Sequence, residues 1–187
     1  MNIFVLDNDA ATSARMMCDK HVIKMLLESC QLLSTAHHVL DGDELFVNSG
    51  KRKYKTYICT KKNICKATMI NHPCTIWTRE TRANYIWLWK HAYALCKEYT
   101  RRYNKVHAME QMLLNELHDP PVNITKGKIT SFAQAMPDQY KDENAVIAYR
   151  KYYINEKVRF AKWQYSEEPE WFRLKEPEFL LYEEIPF

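Results

Sequence analysis

The sequence predicts an all-α protein: a single-domain helical bundle with a short extended segment at its N-terminus and an irregular C-terminal tail. Three observations carry that expectation. Only three glycines occur in 187 residues, and a sheet-rich fold needs many tight turns of positive φ that glycine supplies. Apolar residues make up 47% and charged residues 27% of the chain, the balance of a globular protein rather than a disordered one. A chain of this length encloses one sizeable core without disulfide or metal staples.

The elements follow in order. Residues 2–6 read as extended. Asp9 is an N-cap for a first helix over residues 10–17. A second helix, residues 19–40, ends at the turn signal Asp41-Gly42-Asp43. Residues 43–70 are expected to be irregular, with Asn48-Ser49-Gly50 as a loop. His72-Pro73 marks a helix start. The recurrence of Ile76, Trp77, Tyr85, Trp87, Leu88, Tyr93, Leu95 and Cys96 predicts a helix over residues 75–104. A further helix over 106–117 is broken by Asp119-Pro120-Pro121, and residues 120–140 read as loop. Asp142 can cap a last helix over 143–160. Pro169, Pro177 and Pro186 keep the tail irregular, while Trp171, Phe172, Phe179, Leu180, Leu181 and Tyr182 give it apolar side chains with which to dock.

Charge is divided unevenly. Residues 166–187 hold seven acidic and two basic side chains, and the other 165 residues hold 25 basic and 16 acidic ones. The chain therefore divides into a basic body, residues 1–165, and an acidic, aromatic tail, residues 166–187. A basic body attracts polyanions, and an acidic tail can screen it. No apolar run approaches the roughly 18 residues that span a bilayer. The N-terminus lacks the basic region and apolar length of a signal peptide. A cytoplasmic protein with no membrane partner is expected, its six cysteines as thiols. Cys59, Cys65, His72 and Cys74 follow Cys-x5-Cys-x6-His-x-Cys, which departs from structural zinc spacing. No metal and no cofactor is expected.

The second helix carries the functional argument. His21, Lys24, Glu28, Gln31, Thr35 and His38 recur at alternating spacings of three and four and form one narrow polar stripe. Val22, Ile23, Met25, Leu26, Leu27, Cys30, Leu32, Leu33, Ala36 and Leu40 occupy most of the remainder. Such a helix is expected to be packed on nearly all sides, its stripe lining a cleft. A carboxylate beside an amine is chemically useful, because each controls the other's protonation. The amine can add to a sugar C1′ and the carboxylate can move protons.

Lys51, Arg52, Lys53, Lys55, Lys61, Lys62 and Lys66 interleave with Tyr54 and Tyr57, a pattern that neutralises phosphates and stacks bases. Arg150, Lys151, Lys157 and Arg159 with Tyr149, Tyr152 and Tyr153 form a second basic-aromatic helix, read either as a DNA-backbone wall or as a surface helix. Trp77, Asn84, Trp87 and His91 share one face that reads mainly as core, where Asn84 and His91 each need a buried partner.

Asp19-Lys20-His21-Val22 followed by Glu28 resembles the Asp-Gln-His-Leu…Glu stretch of the phage endonuclease V type of pyrimidine dimer DNA glycosylase. Broader phage and bacterial relatives are matched by His21, Lys24, Glu28 and Gln31-Leu32-Leu33. Asn71-His72-Pro73 with Trp77, and Leu95 with Glu98-Tyr99, add to the resemblance, which covers residues 1–105. It implies an all-helical, phage-type DNA-handling body that kinks DNA and pushes a base from the stack. It also implies that an amine attacks C1′ to form an imine, assisted at the matching carboxylate, Glu28. Two features depart from the family. Asn2 follows Met1 where the family carries a small residue exposed by Met removal, and Leu27 and Ser29 flank Glu28 where it carries arginines.

The resulting expectation is a DNA glycosylase and abasic-site lyase acting on a damaged or modified pyrimidine, with Glu28, Lys24 and His21 catalytic. Lys24, Lys20 or the amine of Met1 would be the nucleophile. Lys20, Gln31, Lys51, Arg52, Lys53, Lys55, Lys61, Lys62, His72, Trp77, Arg79 and Arg82 would contact DNA. The alternatives are a non-catalytic DNA-binding module of the same fold, or a phage protein that binds or modifies free nucleotides.

Overall fold

The computed structural model describes residues 1–50 and 52–179, with the side chains of residues 49 and 52 left aside. It is mostly helical. The helices are α1 (Ala10–Arg15), α2 (Asp19–Asp41), α3 (Pro73–Glu80), α4 (Arg82–Tyr103), α5 (Glu110–Asn115), α6 (Ala145–Glu156) and α7 (Glu170–Leu174). One antiparallel hairpin joins β1 (Asp43–Ser49) to β2 (Arg52–Ile58). Among the described residues no helix is long and apolar enough to cross a membrane.

The N-terminal segment is buried through Leu6 without joining a sheet. Side chains satisfy its backbone instead. The Asn2 amide oxygen accepts from the Ile3 and Phe4 N–H groups, while the Ser13 hydroxyl donates to the Phe4 carbonyl and accepts from Leu6. Asp9 caps α1 through the Thr12 N–H, as its position predicts.

α2 is the central element, with α3 and α4 packed against it, and α1 packs on α4. Its first turn is tied to the end of α4 by a buried ion network. The Arg102 side chain, 0% exposed, reaches Asp19 at 3.1 Å and Glu98 at 3.0 Å. It also donates to the Met17 and Arg15 carbonyls. Five donors in a rigid fork can satisfy this many acceptors without water.

The hairpin corrects the expectation of an irregular segment over 43–70. Leu45 and Val47 alternate with Glu44 and Phe46, and Tyr54, Thr56 and Ile58 with Lys53, Lys55 and Tyr57. Asn48 and Ser49 extend β1 rather than forming a loop, and Gly50 follows them in the turn at φ +58°. Gly42 is required where the hairpin leaves α2, since a Cβ there would collide with the Ile58 and His38 carbonyls.

The single helix expected over 75–104 is two. Thr81 sits in extended backbone (φ −137°, ψ 157°) and its hydroxyl accepts from the Asn84 N–H, capping α4 while ending α3. α4 stops at Asn104 in left-handed backbone. α5 is shorter than predicted. α6 is capped by Asn144, not Asp142, whose carboxylate instead accepts from the Asn144 N–H and pairs with Lys151. In the tail, Trp171 and Phe172 are buried on α7. The predicted docking of Leu180, Leu181 and Tyr182 lies outside the described residues.

Arg150 stands against the DNA-wall reading of α6. It is 1% exposed and donates to the carbonyls of Leu6, Pro177 and Phe179. It therefore fastens the tail to the N-terminal segment. Tyr149 and Tyr153 are equally buried.

Candidate functional site

The polar stripe of α2 is not the stripe that meets solvent. Lys20, Ile23, Lys24 and Leu27 are exposed and Gln31 is half-buried, while His21, Glu28, Thr35 and His38 are buried. Each buried polar side chain holds another part of the chain. Thr35 accepts from the Thr68 N–H; His38 accepts from the Cys59 N–H through Nδ1, which leaves Nε2–H to donate to the Cys65 carbonyl. The stripe is a rail on which irregular segments dock, because their amides need acceptors that no sheet provides. The clefts described below are lined by other residues, and the reactive edge of the stripe is formed around Glu28.

There, α2 meets the chain's own N-terminus. Glu28 Oε2 accepts from the Asn2 N–H at 3.0 Å and lies 4.0 Å from the α-ammonium of Met1. Glu28 Oε1 lies 3.3 Å from Lys24 Nζ. The Glu28 side chain is 11% exposed and that of Lys24 68%, so the pair spans the boundary between interior and solvent.

His72 stands beside them. Burial and the nearby α-ammonium hold its pKa below the ordinary histidine value, opposed by Glu28. Its Nδ1 accepts from the Cys74 N–H and caps α3. Burial pushes the Cys74 thiol up to about 12, against lowering contacts from Tyr149 and Ile3. Cys74 is therefore a packing thiol.

His21 is turned away from this edge. Its ring stacks on Phe4 at 4.5 Å and its Nδ1 lies 2.7 Å from the Tyr153 hydroxyl. Burial, then Lys157 and Lys24, lower its pKa to about 3. It is a neutral side chain that anchors the N-terminal segment.

The sequence-predicted DNA contacts are spread more widely. Lys20 projects over the Phe160 ring at 5.4 Å. Trp77 is 3% exposed and packs against Trp87 and Phe132, so it offers no stacking face. Arg79 is half-buried and donates to the Ile70 carbonyl at 2.8 Å. Arg82 is exposed at the start of α4. Lys53 covers the Phe46 ring at 4.9 Å, and Lys55 pairs with Glu44 and covers Tyr57. Lys62 is exposed and Lys61 half-buried. Lys51 and the Arg52 side chain lie outside the described residues. Lys53 and Lys55 make these ring and carboxylate contacts within the hairpin itself.

Glu28 is not among the residues that line two clefts of nucleotide size. One of about 570 Å³ runs between β2 and residues 67–71; the other, about 770 Å³, is lined by Arg15, Arg101, Trp171 and the acidic tail. Among the described residues no group of three or more His, Cys, Asp or Glu side chains is placed to hold a metal ion. The six cysteines are free thiols.

Sequence reasoning named Glu28, Lys24 and Met1 but missed the Asn2 N–H as a Glu28 partner and Tyr153 as the partner of His21. Nothing local signals either contact, which join residues 26 and 132 positions apart. Chemically, the edge combines one carboxylate with two amines, one at the chain terminus and one on a flexible stem. A carboxylate so placed can take a proton from an ammonium, leaving a nucleophilic amine, and can face a developing positive charge. A family model described as pyrimidine dimer DNA glycosylase matches residues 1–111. Neither a search of curated proteins nor one of solved structures gives a match.

Proposed function

The chain belongs to the pyrimidine dimer DNA glycosylase family, and on that premise we propose that it excises a damaged or modified pyrimidine and then acts as an abasic-site lyase, with the N-terminal α-amine as nucleophile and Glu28 as the proton-transfer group. One observation carries the reading: Glu28 Oε2 faces both the Met1 ammonium and the Asn2 N–H. The neutral amine forms a bond to C1′ as the bond from C1′ to the base breaks, the base leaving with its electron pair and gaining a proton. The adduct nitrogen then loses one proton, and the bond from C1′ to the ring oxygen breaks as that oxygen gains a proton, giving the protonated imine that borohydride reduces. Glu28, on its partly buried perch, takes and returns these protons and faces the cationic sugar. Lys24 is largely solvated; its charge serves the neighbouring phosphate better than the attack.

DNA is the partner in this reading. The exposed cations Lys20, Lys24, Lys53, Lys62 and Arg82 provide a discontinuous basic surface, joined by Lys51 and Arg52 in sequence. A second reading, a DNA-binding module without chemistry, is favoured by Asn2, whose bulk disfavours removal of Met1. Borohydride trapping on a duplex with an abasic site separates the two. A covalent adduct that Glu28→Gln abolishes supports the enzyme; salt-sensitive binding with no adduct supports the module.

A further inference from the structure

Glu28, Lys24 and the Met1 terminus bring one carboxylate and two amines to the reactive edge. His72 brings a neutral ring. Burial first, then the α-ammonium, hold its pKa below 6.5, and Glu28 opposes them. Its tautomer follows from its cap. Nδ1 accepts from the Cys74 N–H at 3.2 Å, so the one ring proton sits on Nε2. Among the described residues Nε2–H has no hydrogen-bond partner and is not sealed from solvent. Two features fix the ring's position. The His72 N–H donates to the Met69 carbonyl at 2.9 Å, closing a turn that holds Met69 in left-handed backbone (φ +47°). Such strain in a residue with a side chain persists only where the surroundings enforce it. The Cys74 thiol meets the Ile3 backbone, so the turn that carries His72 is docked on the segment that carries the amine. We propose that His72, through Nε2–H, donates to the sugar ring oxygen O4′ of the bound nucleotide and promotes opening of the sugar ring once the amine has added to C1′.

This rests on the reading of the chain as a DNA glycosylase and lyase with the terminal amine as nucleophile. Displacement at C1′ brings the amine in behind the bond to the departing base. A donor on the amine's side of the sugar therefore lies across the ring from the base, and O4′, bonded to C1′, is the oxygen within its reach. The charge of that donor matters. While the base leaves, O4′ shares a lone pair with the cationic C1′, and an imidazolium beside it would oppose that sharing. A neutral N–H opposes it little. When the C1′–O4′ bond breaks, its electron pair passes to O4′ and the nitrogen lone pair closes the C=N bond. The same N–H then faces a developing alkoxide, so its hydrogen bond strengthens at the stage that needs it. A histidine that accepts a backbone N–H at a helix start suits this role, because the positive helix end keeps the ring uncharged. Nε2 keeps its proton throughout, and O4′ gains the one that Glu28 took from the amine.

The test compares two duplexes, one with an ordinary abasic site, whose sugar is a closed ring, and one with an open-chain aldehyde that has no ring oxygen. Borohydride-trapped adduct is followed with the full chain and with its His72→Ser and His72→Thr variants. Both replacements keep an oxygen to accept the Cys74 N–H and neither reaches the place of Nε2, so one serves if the other folds poorly. The wild-type protein is expected to form adduct with both duplexes. The variants should lose roughly a hundredfold in rate on the closed ring, the scale of one donor removed from a developing oxyanion, and stay close to wild type on the open chain. Equal slowing on both duplexes, which a merely structural cap would give, overturns the role of His72, as does no slowing on either. A wild-type protein that reacts with the open chain alone overturns it too, and so does a long-range proton–nitrogen NMR spectrum that places the His72 proton on Nδ1. Absence of wild-type adduct on both duplexes overturns the glycosylase reading itself, and the role of His72 with it.

Discussion

The Tyr153 hydroxyl lies 2.7 Å from Nδ1 of His21 while accepting from the Cys18 N–H at 3.1 Å. With the phenol oxygen already receiving a proton from the backbone, its own hydroxyl proton points to Nδ1, and the His21 proton resides on Nε2. Phe4 stacks on the outer face of this ring. The start of α2, the middle of α6 and the N-terminal segment thus meet at one hydrogen-bonded pair, and the Met1 amine reaches Glu28 from a segment held this way. Tyr153→Phe leaves two buried groups without partners, an expected cost of about 1–3 kcal/mol each. The urea midpoint should fall, and the adduct rate should fall with it at temperatures where the variant is still folded.

Stability should rise with pH across the acid range. His21 and His91 have folded-state pKa values lowered from 6.5 to about 3, and His37 to about 4, burial being the largest cause in each. The unfolded chain therefore binds more protons between those values and 6.5, so folding is favoured above pH 6.5 and loses stability as pH falls toward 3. His91 is the informative member. It is fully buried, stacks on Trp87 at 5.2 Å, and neither ring nitrogen has a hydrogen-bond partner among the described residues. His91→Phe keeps the stack and removes the unpaired nitrogens. It should raise stability at neutral pH by about 1–3 kcal/mol and flatten the slope of urea midpoint against pH. An unchanged slope would mean that His91 does not titrate in this range.

The same residues show what the sequence could reveal. The bounds of α2 were legible because its turn signal and apolar periodicity are local. The pairing of Glu28 with Lys24 was legible from an i,i+4 spacing. The hairpin was hidden because a basic run with few apolar residues resembles a solvated loop, and only the alternation around Asn48-Ser49-Gly50 betrays it. The exposed arc of α2 was misjudged by about a sixth of a turn of the wheel. Periodicity sorts side chains by polarity, whereas His21, Thr35 and His38 are polar residues buried to satisfy segments far away in sequence.

The hairpin offers a graded electrostatic test. Lys53 lies over an aromatic ring, whereas Lys55 is paired with Glu44. A lysine already neutralised within the protein releases fewer counterions on meeting phosphate. Lys53→Ala should therefore reduce the slope of log K against log salt by about 1, and Lys55→Ala by less, for an intact duplex. Equal effects, or none, would remove the hairpin from the interface while leaving the chemistry at Glu28 untouched.

Which amine attacks is the sharpest remaining question. The Met1 ammonium is 4.0 Å from Glu28 and the Met1 side chain is 7% exposed, so the terminus is held in place, whereas the Lys24 side chain is 68% exposed and sweeps a wide volume. Fixing a nucleophile in a near-attack position is worth far more than supplying a mobile one. Extending the chain by one glycine before Met1 moves the amine by one residue but leaves Lys24 in place. The extended protein should lose nearly all borohydride adduct, while Lys24→Ala should retain it with weaker duplex binding. Proteolysis of the trapped wild-type adduct should recover the DNA fragment on the N-terminal peptide. Recovery on the peptide that contains Lys24, with the extended protein still reactive, would reassign the nucleophile and leave the role of Glu28 intact, since its other oxygen already faces that lysine at 3.3 Å.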